Sequence, residues 1–135
     1  IKHADGGIAL DRALGGALHK QIQAETFTGE RGTHRMFFTA GRIPARFVLL
    51  VGLGRRDRFD LEVCREAGAR IARAAREAHA ASAALVLERG PVGEDTSPAR
   101  ARAIAEGVLL GGYRFDRYKT GAERTPPEHT LTTFL

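Results

Sequence analysis

The residues able to do chemistry in this sequence are five histidines, one cysteine, a glycine-rich turn flanked by arginines, and a segment mixing aromatics with cations. The histidines, His3, His19, His34, His79 and His129, are scattered. None belongs to an H-E-x-x-H helix motif, and none stands at zinc-finger spacing from the cysteine, so each reads as a surface or half-buried side chain rather than a metal ligand. A nucleophilic cysteine needs access and a lowered pKa. Cys64 instead falls on the apolar arc of a helix, which predicts a buried, inert thiol. Gly52-Leu53-Gly54 follows a strand as the opening of a phosphate loop would. However, Arg55-Arg56-Asp57 stands where G-x-G-x-x-G needs its third glycine, and G-K-[ST] is absent. A tight strand exit is the simpler reading. Arg55 and Arg56 are placed either to meet an anion or to point into water. Tyr113-Arg114-Phe115-Asp116-Arg117-Tyr118-Lys119 has the pattern of a base-stacking surface. It also has that of an element docked by its aromatics with Arg stems packed along them, which we prefer.

Composition narrows the class. A chain of 135 residues accommodates one domain with a real core. The net charge of +5 comes from 21 basic and 16 acidic side chains, and 18 of the basic ones are Arg. Such a balance permits a polyanionic partner. The acids are interspersed with the bases, though, which points to a solvated, self-neutralising surface. One cysteine excludes an internal disulfide and suits a reducing compartment. No apolar run approaches the ~20 residues needed to span a bilayer, and no signal-peptide pattern opens the chain, so a cytoplasmic location is expected.

The elements that must position these residues follow from periodicity. Leu10, Leu14, Ala17, Leu18 and Ile22 predict a helix over 7–25, weakened at Gly15-Gly16. Residues 26–34 read as a loop, 35–39 as a short strand and 40–44 as a turn. Residues 46–52 form the strongest strand. Its run Phe47-Val48-Leu49-Leu50-Val51 does not alternate, as in a strand covered on both faces. A helix over 60–81 has Asp60 as N-cap and an inner side of Leu61, Val63, Cys64, Ala67, Ile71, Ala74, Ala75 and Ala78. Its outer side carries Glu66–Arg70 and Arg73–Glu77 at the spacing of helical ion pairs. Residues 83–88 form a second buried strand and 89–96 a loop. Ser97-Pro98 then starts a helix running to about Tyr113, with Ala101, Ile104, Ala105, Val108 and Leu109 inward and Gly111-Gly112 loosening its end. A Pro/Gly-containing connector over 119–128 leads to a last strand over 130–135, anchored by Leu131 and Phe134. Strands separated by helices predict a largely parallel or mixed sheet with helices on both faces.

Three segments carry a family resemblance. Val48 to Gly54 (VLLVGLG), followed by Phe59-Asp60 and the Ala-rich helix, resembles the central strand and helix of the N-terminal domain of leucyl aminopeptidases. Glu106 to Thr120 (EGVLLGGYRFDRYKT) is similar to the helix that closes that domain, and Thr28-Gly29-Glu30-Arg31-Gly32 resembles its T-G-K-x-G-type loop. The resemblance covers nearly all of residues 1–135 and implies a single domain. Its expected fold is three-layer α/β/α with a mixed, mostly parallel sheet, similar to macro domains. The family's catalytic domain holds two divalent metals, commonly zinc, manganese or magnesium, and carries an N-T-D-A-E-G-R signature. This sequence contains no Asn, so that signature is absent. No catalytic, cofactor-binding or metal-binding residue carries over. The family also places an apolar strand before the Leu10 helix, where this chain has only Ile1-Lys2-His3-Ala4-Asp5.

The resemblance implies a non-catalytic assembly domain. Its partners would be its own C-terminal catalytic domain and sister subunits of a homohexamer that removes N-terminal residues, Leu preferentially. A macro-like module for nucleotides or ADP-ribose, and an accessory DNA-binding domain, are the alternatives.

Overall fold

The computed structural model describes residues 5–86, 97–112 and 133–134. In chain order these form α1 (Asp5–Ala13), α2 (Ala17–Ala24), β1 (His34–Phe38), β2 (Phe47–Val51), a 3-10 turn (Arg56–Arg58), α3 (Leu61–Glu77), β3 (Ser82–Ala83), α4 (Ser97–Gly112) and β4 (Thr133–Phe134). The class is mixed α/β, and the expected order of elements holds except that the first helix is two. β1 and β2 form an antiparallel hairpin in register from His34 opposite Val51 to Phe38 opposite Phe47. β3 and β4 pair in parallel. Among the described residues the longer pairing is therefore antiparallel. Of the strand expected over 83–88, Ala83 lies in β3 and 84–86 are irregular, while 87–88 lie outside the described residues. Positions 87–96 and 113–132, which include the expected loop, the aromatic segment, the connector and Leu131, lie outside the described residues.

The expected helix over 7–25 breaks where its sequence is weakest. Gly15 and Gly16 take left-handed conformations, with φ of 66° and 77°, which end the hydrogen-bond ladder and suit only glycine well. Side chains satisfy the orphaned backbone groups on either side. Asp11 accepts from the His19 amide at 2.9 Å, and Arg42 donates to the Leu14 carbonyl at 3.1 Å. The break changes the direction of the chain but keeps one apolar face, because Leu14, Leu18 and Ile22 join one core cluster with Phe37 and Val48.

The non-alternating run of β2 also has a clear cause. Val48 and Leu50 belong to the cluster built with α1 and α2, while Leu49 and Val51 pack against Cys64, Ile71, Ala103 and Ile104 of α3 and α4. Successive side chains of a strand point to opposite faces, so apolar neighbours on both sides require an unbroken apolar run. The hairpin turn is held by Thr39, whose buried hydroxyl donates to the Ala45 carbonyl at 2.7 Å.

α3 starts as expected: the Asp60 carboxylate accepts from the Val63 amide at 2.9 Å. Val63, Cys64, Ala67, Gly68, Ile71, Ala72, Ala74 and Ala75 are buried, whereas Leu61 is exposed. Beyond the end of α3 at Glu77, His79 adopts a left-handed φ of 52° while the Ala80 amide closes back onto the Ala75 carbonyl at 2.8 Å.

α4 departs most from expectation. It starts at Ser97 and ends at Gly112, close to the predicted limits. Ile104 is buried and Val108 packs against the same core, as expected, but Ala101, Ala105 and Leu109 face outward, and Ala103 and Gly107 are buried in their place. The helix is rotated because glycines, not large apolar residues, make its contact with α3. A Cβ on Gly107 would stand 2.0 Å from the Arg65 carbonyl oxygen, one on Gly68 2.1 Å from that of Ile104, and one on Gly111 2.5 Å from the Ala69 Cα. Gly111 is thus part of the seam rather than a loosened end. Backbones this close gain dispersion contacts along the whole crossing. Arg65 spans the seam, donating to Glu106 at 2.9 Å and to Glu62 at 3.2 Å, and Arg102 donates to Glu106 at 3.0 Å.

Two tests follow. Gly107→Ala gains about 1 kcal/mol of helix propensity, but its methyl meets backbone that cannot move aside. Overpacking of about 1–3 kcal/mol or more wins, and urea denaturation should show net destabilisation. Gly112→Ala, with open space around it, should be neutral or slightly stabilising. Glu106 is held below the usual carboxylate range by its hydrogen bonds to Arg65 and Arg102. A lowered folded-state pKa gives stability that is present above the unfolded value of about 4.3 and lost as pH falls through the lowered one. The melting-temperature advantage of the wild type over Glu106→Gln should therefore be full at neutral pH and shrink as the solution is acidified below about pH 4.

Candidate functional site

Gly52-Leu53-Gly54 is the feature most like a ligand loop, and the structure shows what occupies it. The strand hydrogen-bond pattern continues past β2: the Gly52 amide donates to the Thr33 carbonyl at 2.8 Å and the Gly32 amide to the Gly52 carbonyl at 3.2 Å. One turn later the Gly54 amide donates to the Gly29 carbonyl at 2.9 Å. The donors that a phosphate would need at Gly52 and Gly54 are thus taken by the loop 28–33. That loop lies so close that a Cβ on Gly52 would sit 2.1 Å from the Glu30 carbonyl oxygen. The glycines serve loop packing, in agreement with the strand-exit reading.

The loop is also tied to α3. Arg31 donates from Nε and Nη2 to the two carboxylate oxygens of Glu66 at 2.9 and 2.8 Å, a two-point pairing. Its hydrogen bonds lower the Glu66 pKa and raise that of Arg31. Glu66 therefore meets Arg31 across the fold rather than pairing with Arg70 along its own helix, as the spacing had suggested. The TGERG loop, the VGLG turn and α3, which belong to two of the three segments that carry the resemblance, form one contiguous unit. The spacing of glycines at 29, 32, 52 and 54 was the available sign, but only pairing across the chain shows that they meet.

The other candidates are brought together less. Arg55 folds back onto Asp57 in a two-point pair of 3.0 and 2.9 Å, fully at the surface, and lowers the aspartate's pKa. Its charge is thereby locally matched, while Arg56 is exposed in the 3-10 turn. Cys64 is 2% exposed, and burial pushes its thiol pKa up, away from a reactive thiolate. His19 lies in α2, His34 opens β1 and His79 closes α3; His3 and His129 lie outside the described residues. Among the described residues no three His, Cys, Asp or Glu side chains gather as a metal site requires. A shallow cavity of about 220 Å³ lies between Leu14, α2 and the hairpin. Its walls are core side chains such as Leu14, Leu18 and Phe37, and Arg42 at its edge is engaged with the Leu14 carbonyl. It offers no acid–base pair and no nucleophile. Sequence reasoning missed the glycine seam of α3 and α4, although Gly107 and Gly111 stand four residues apart.

Comparison with known proteins fits this arrangement. The family described as cytosol aminopeptidase family, N-terminal domain, matches residues 2–122. A probable cytosol aminopeptidase of Geobacter sp. (strain M21) is 41% identical over 110 residues, covering 82% of this chain and 22% of its own length. One from Alkaliphilus metalliredigens is 37% identical over 114 residues, covering 84% and 23%. The solved structure of a tomato leucine aminopeptidase mutant superposes with a TM-score of 0.74 at 26% identity, over 93% of this chain and 23% of the other. The chain thus spans less than a quarter of the length of these relatives. Among the described residues no helix is long and apolar enough to cross a membrane. The chain belongs to the cytosol aminopeptidase family, as its N-terminal domain.

Proposed function

We propose that this chain is the non-catalytic, structural part of a metal-dependent leucyl aminopeptidase. In this reading, hydrolysis of N-terminal residues, Leu preferentially, is done by a catalytic domain outside residues 1–135. The observation that carries the reading is the family match over residues 2–122 combined with coverage of only 22–23% of the relatives' length. The way the acids are used supports it. Asp57, Glu62, Glu66 and Glu106 each face an arginine at 3.2 Å or less. Carboxylates committed to guanidinium groups do not suit a pair of divalent ions. The described residues therefore do not fit the two metals, and no catalytic step is routed through them. In the parent, such ions would supply a metal-activated water.

The role of the domain in this reading is to fix quaternary geometry, as part of a homohexamer, and to shape access to the interior, in the cytoplasm. We also assign β1–β2 and β3–β4 to one mixed sheet between α1–α2 and α3–α4, a three-layer, macro-like arrangement. The division of β2 between two core clusters, one of which includes Ala83 and Leu85, supports this. Nucleotide and nucleic-acid readings gain no such support: the turn amides at Gly52 and Gly54 are engaged, and Arg31, Arg35, Arg55, Arg65 and Arg102 all face carboxylates.

Assays of the isolated chain and of the parent enzyme with a leucyl anilide test the proposal. With added manganese or zinc, the chain alone should release product no faster than buffer. The parent should cleave, and should lose activity on chelation. Metal-dependent release by the isolated chain would refute the assignment.

A further inference from the structure

α4 is apolar on two sides. One side meets α3 through Ala103, Ile104 and Gly107. The opposite side carries Ala101, Ala105 and Leu109 at successive intervals of four, all exposed, with Leu110 beside them. Leu109 is 76% exposed and Leu110 72%, the largest exposures among the large apolar side chains of the described residues. The Arg102–Glu106 ion pair runs along this same outer side, between Leu109 and Leu110, so the exposed leucines flank a charged pair. Two leucines left in water forgo the burial that drives apolar association. α3 shows the contrast: its outward face carries Arg73 and Glu77, exposed and suited to water.

We propose that the outer face of α4 around Leu109 and Leu110 is the surface on which the rest of the same polypeptide docks. This rests on the reading above, that the chain is one part of a longer aminopeptidase. The choice of occupant follows from lengths. Relatives extend over more than four times the matched segment, so most of the parent's surface lies outside this chain. α4 is also the last described helix of the matched region, near its end at residue 122. A segment tethered in this way meets the patch at high effective concentration without a separate association step. The face carries alanines and leucines beside the Arg102–Glu106 pair, so the partner surface should be apolar with polar groups where it meets that pair.

A photoreactive phenylalanine analogue placed at Leu109 of the full-length parent tests this, with the same analogue at Arg73 as control. Irradiation should give cross-links at position 109 that peptide mapping assigns to residues beyond this domain on the same polypeptide. The denatured product should run as a monomer, and position 73 should give none. Cross-links that produce a covalent dimer would assign the patch to a sister subunit and overturn the proposal, as would equal yields at 109 and 73 or no yield at 109. Anilide hydrolysis by the unmodified parent is scored separately. Its absence would count against the aminopeptidase reading while leaving the docking result intact.

Discussion

The approach of two helix backbones at Gly68, Gly107 and Gly111 is the constraint on which the rest of this structure depends. A side chain at any of these positions would meet backbone at 2.0–2.5 Å. Because the seam is so tight, α4 must turn Gly107 rather than Leu109 toward α3. That rotation fixes which residues complete the core under β2, namely Ala103 and Ile104 with Cys64 and Ile71. It also brings Glu106 within reach of Arg65, and it leaves Leu109 and Leu110 in solvent. Packing, ion pairing and the exposed surface are consequences of one close contact.

A second contact organises another face of α3 at the same level. The Gly52–Gly54 turn and the loop 28–33 share backbone hydrogen bonds, and Arg31 carries that loop onto Glu66. In many α/β proteins, a glycine turn after a strand leaves its amides free for a ligand. Here the chain itself fills that space. The charges of Arg31, Arg35, Arg55 and Arg102 follow the same logic, each matched to a nearby carboxylate. Such pairs contribute little stability singly. Those of Arg31 and Arg65 nonetheless fix the orientation of the elements they join.

Function is therefore read here from construction and kinship together. The buried thiol, the engaged turn amides and the paired carboxylates each serve packing, and the family assignment says what such a domain belongs to.

Local chemistry made much of this legible before any coordinates. The unbroken apolar run of β2, the Asp60 cap, the burial of Cys64, the turn after Thr39 and the resemblance of three segments to one family are all properties of short stretches. Neighbouring residues determine them, so the sequence by itself was sufficient. The split at Gly15-Gly16, the partner of Glu66, the phase of α4 and the contents of the glycine turn were decided only by tertiary structure. Each depends on residues distant in the chain. The phase of α4 was hidden for a specific reason: periodicity counts large apolar side chains as the buried face. Where two backbones touch, the buried face is instead the one without side chains, and leucines are left to face outward.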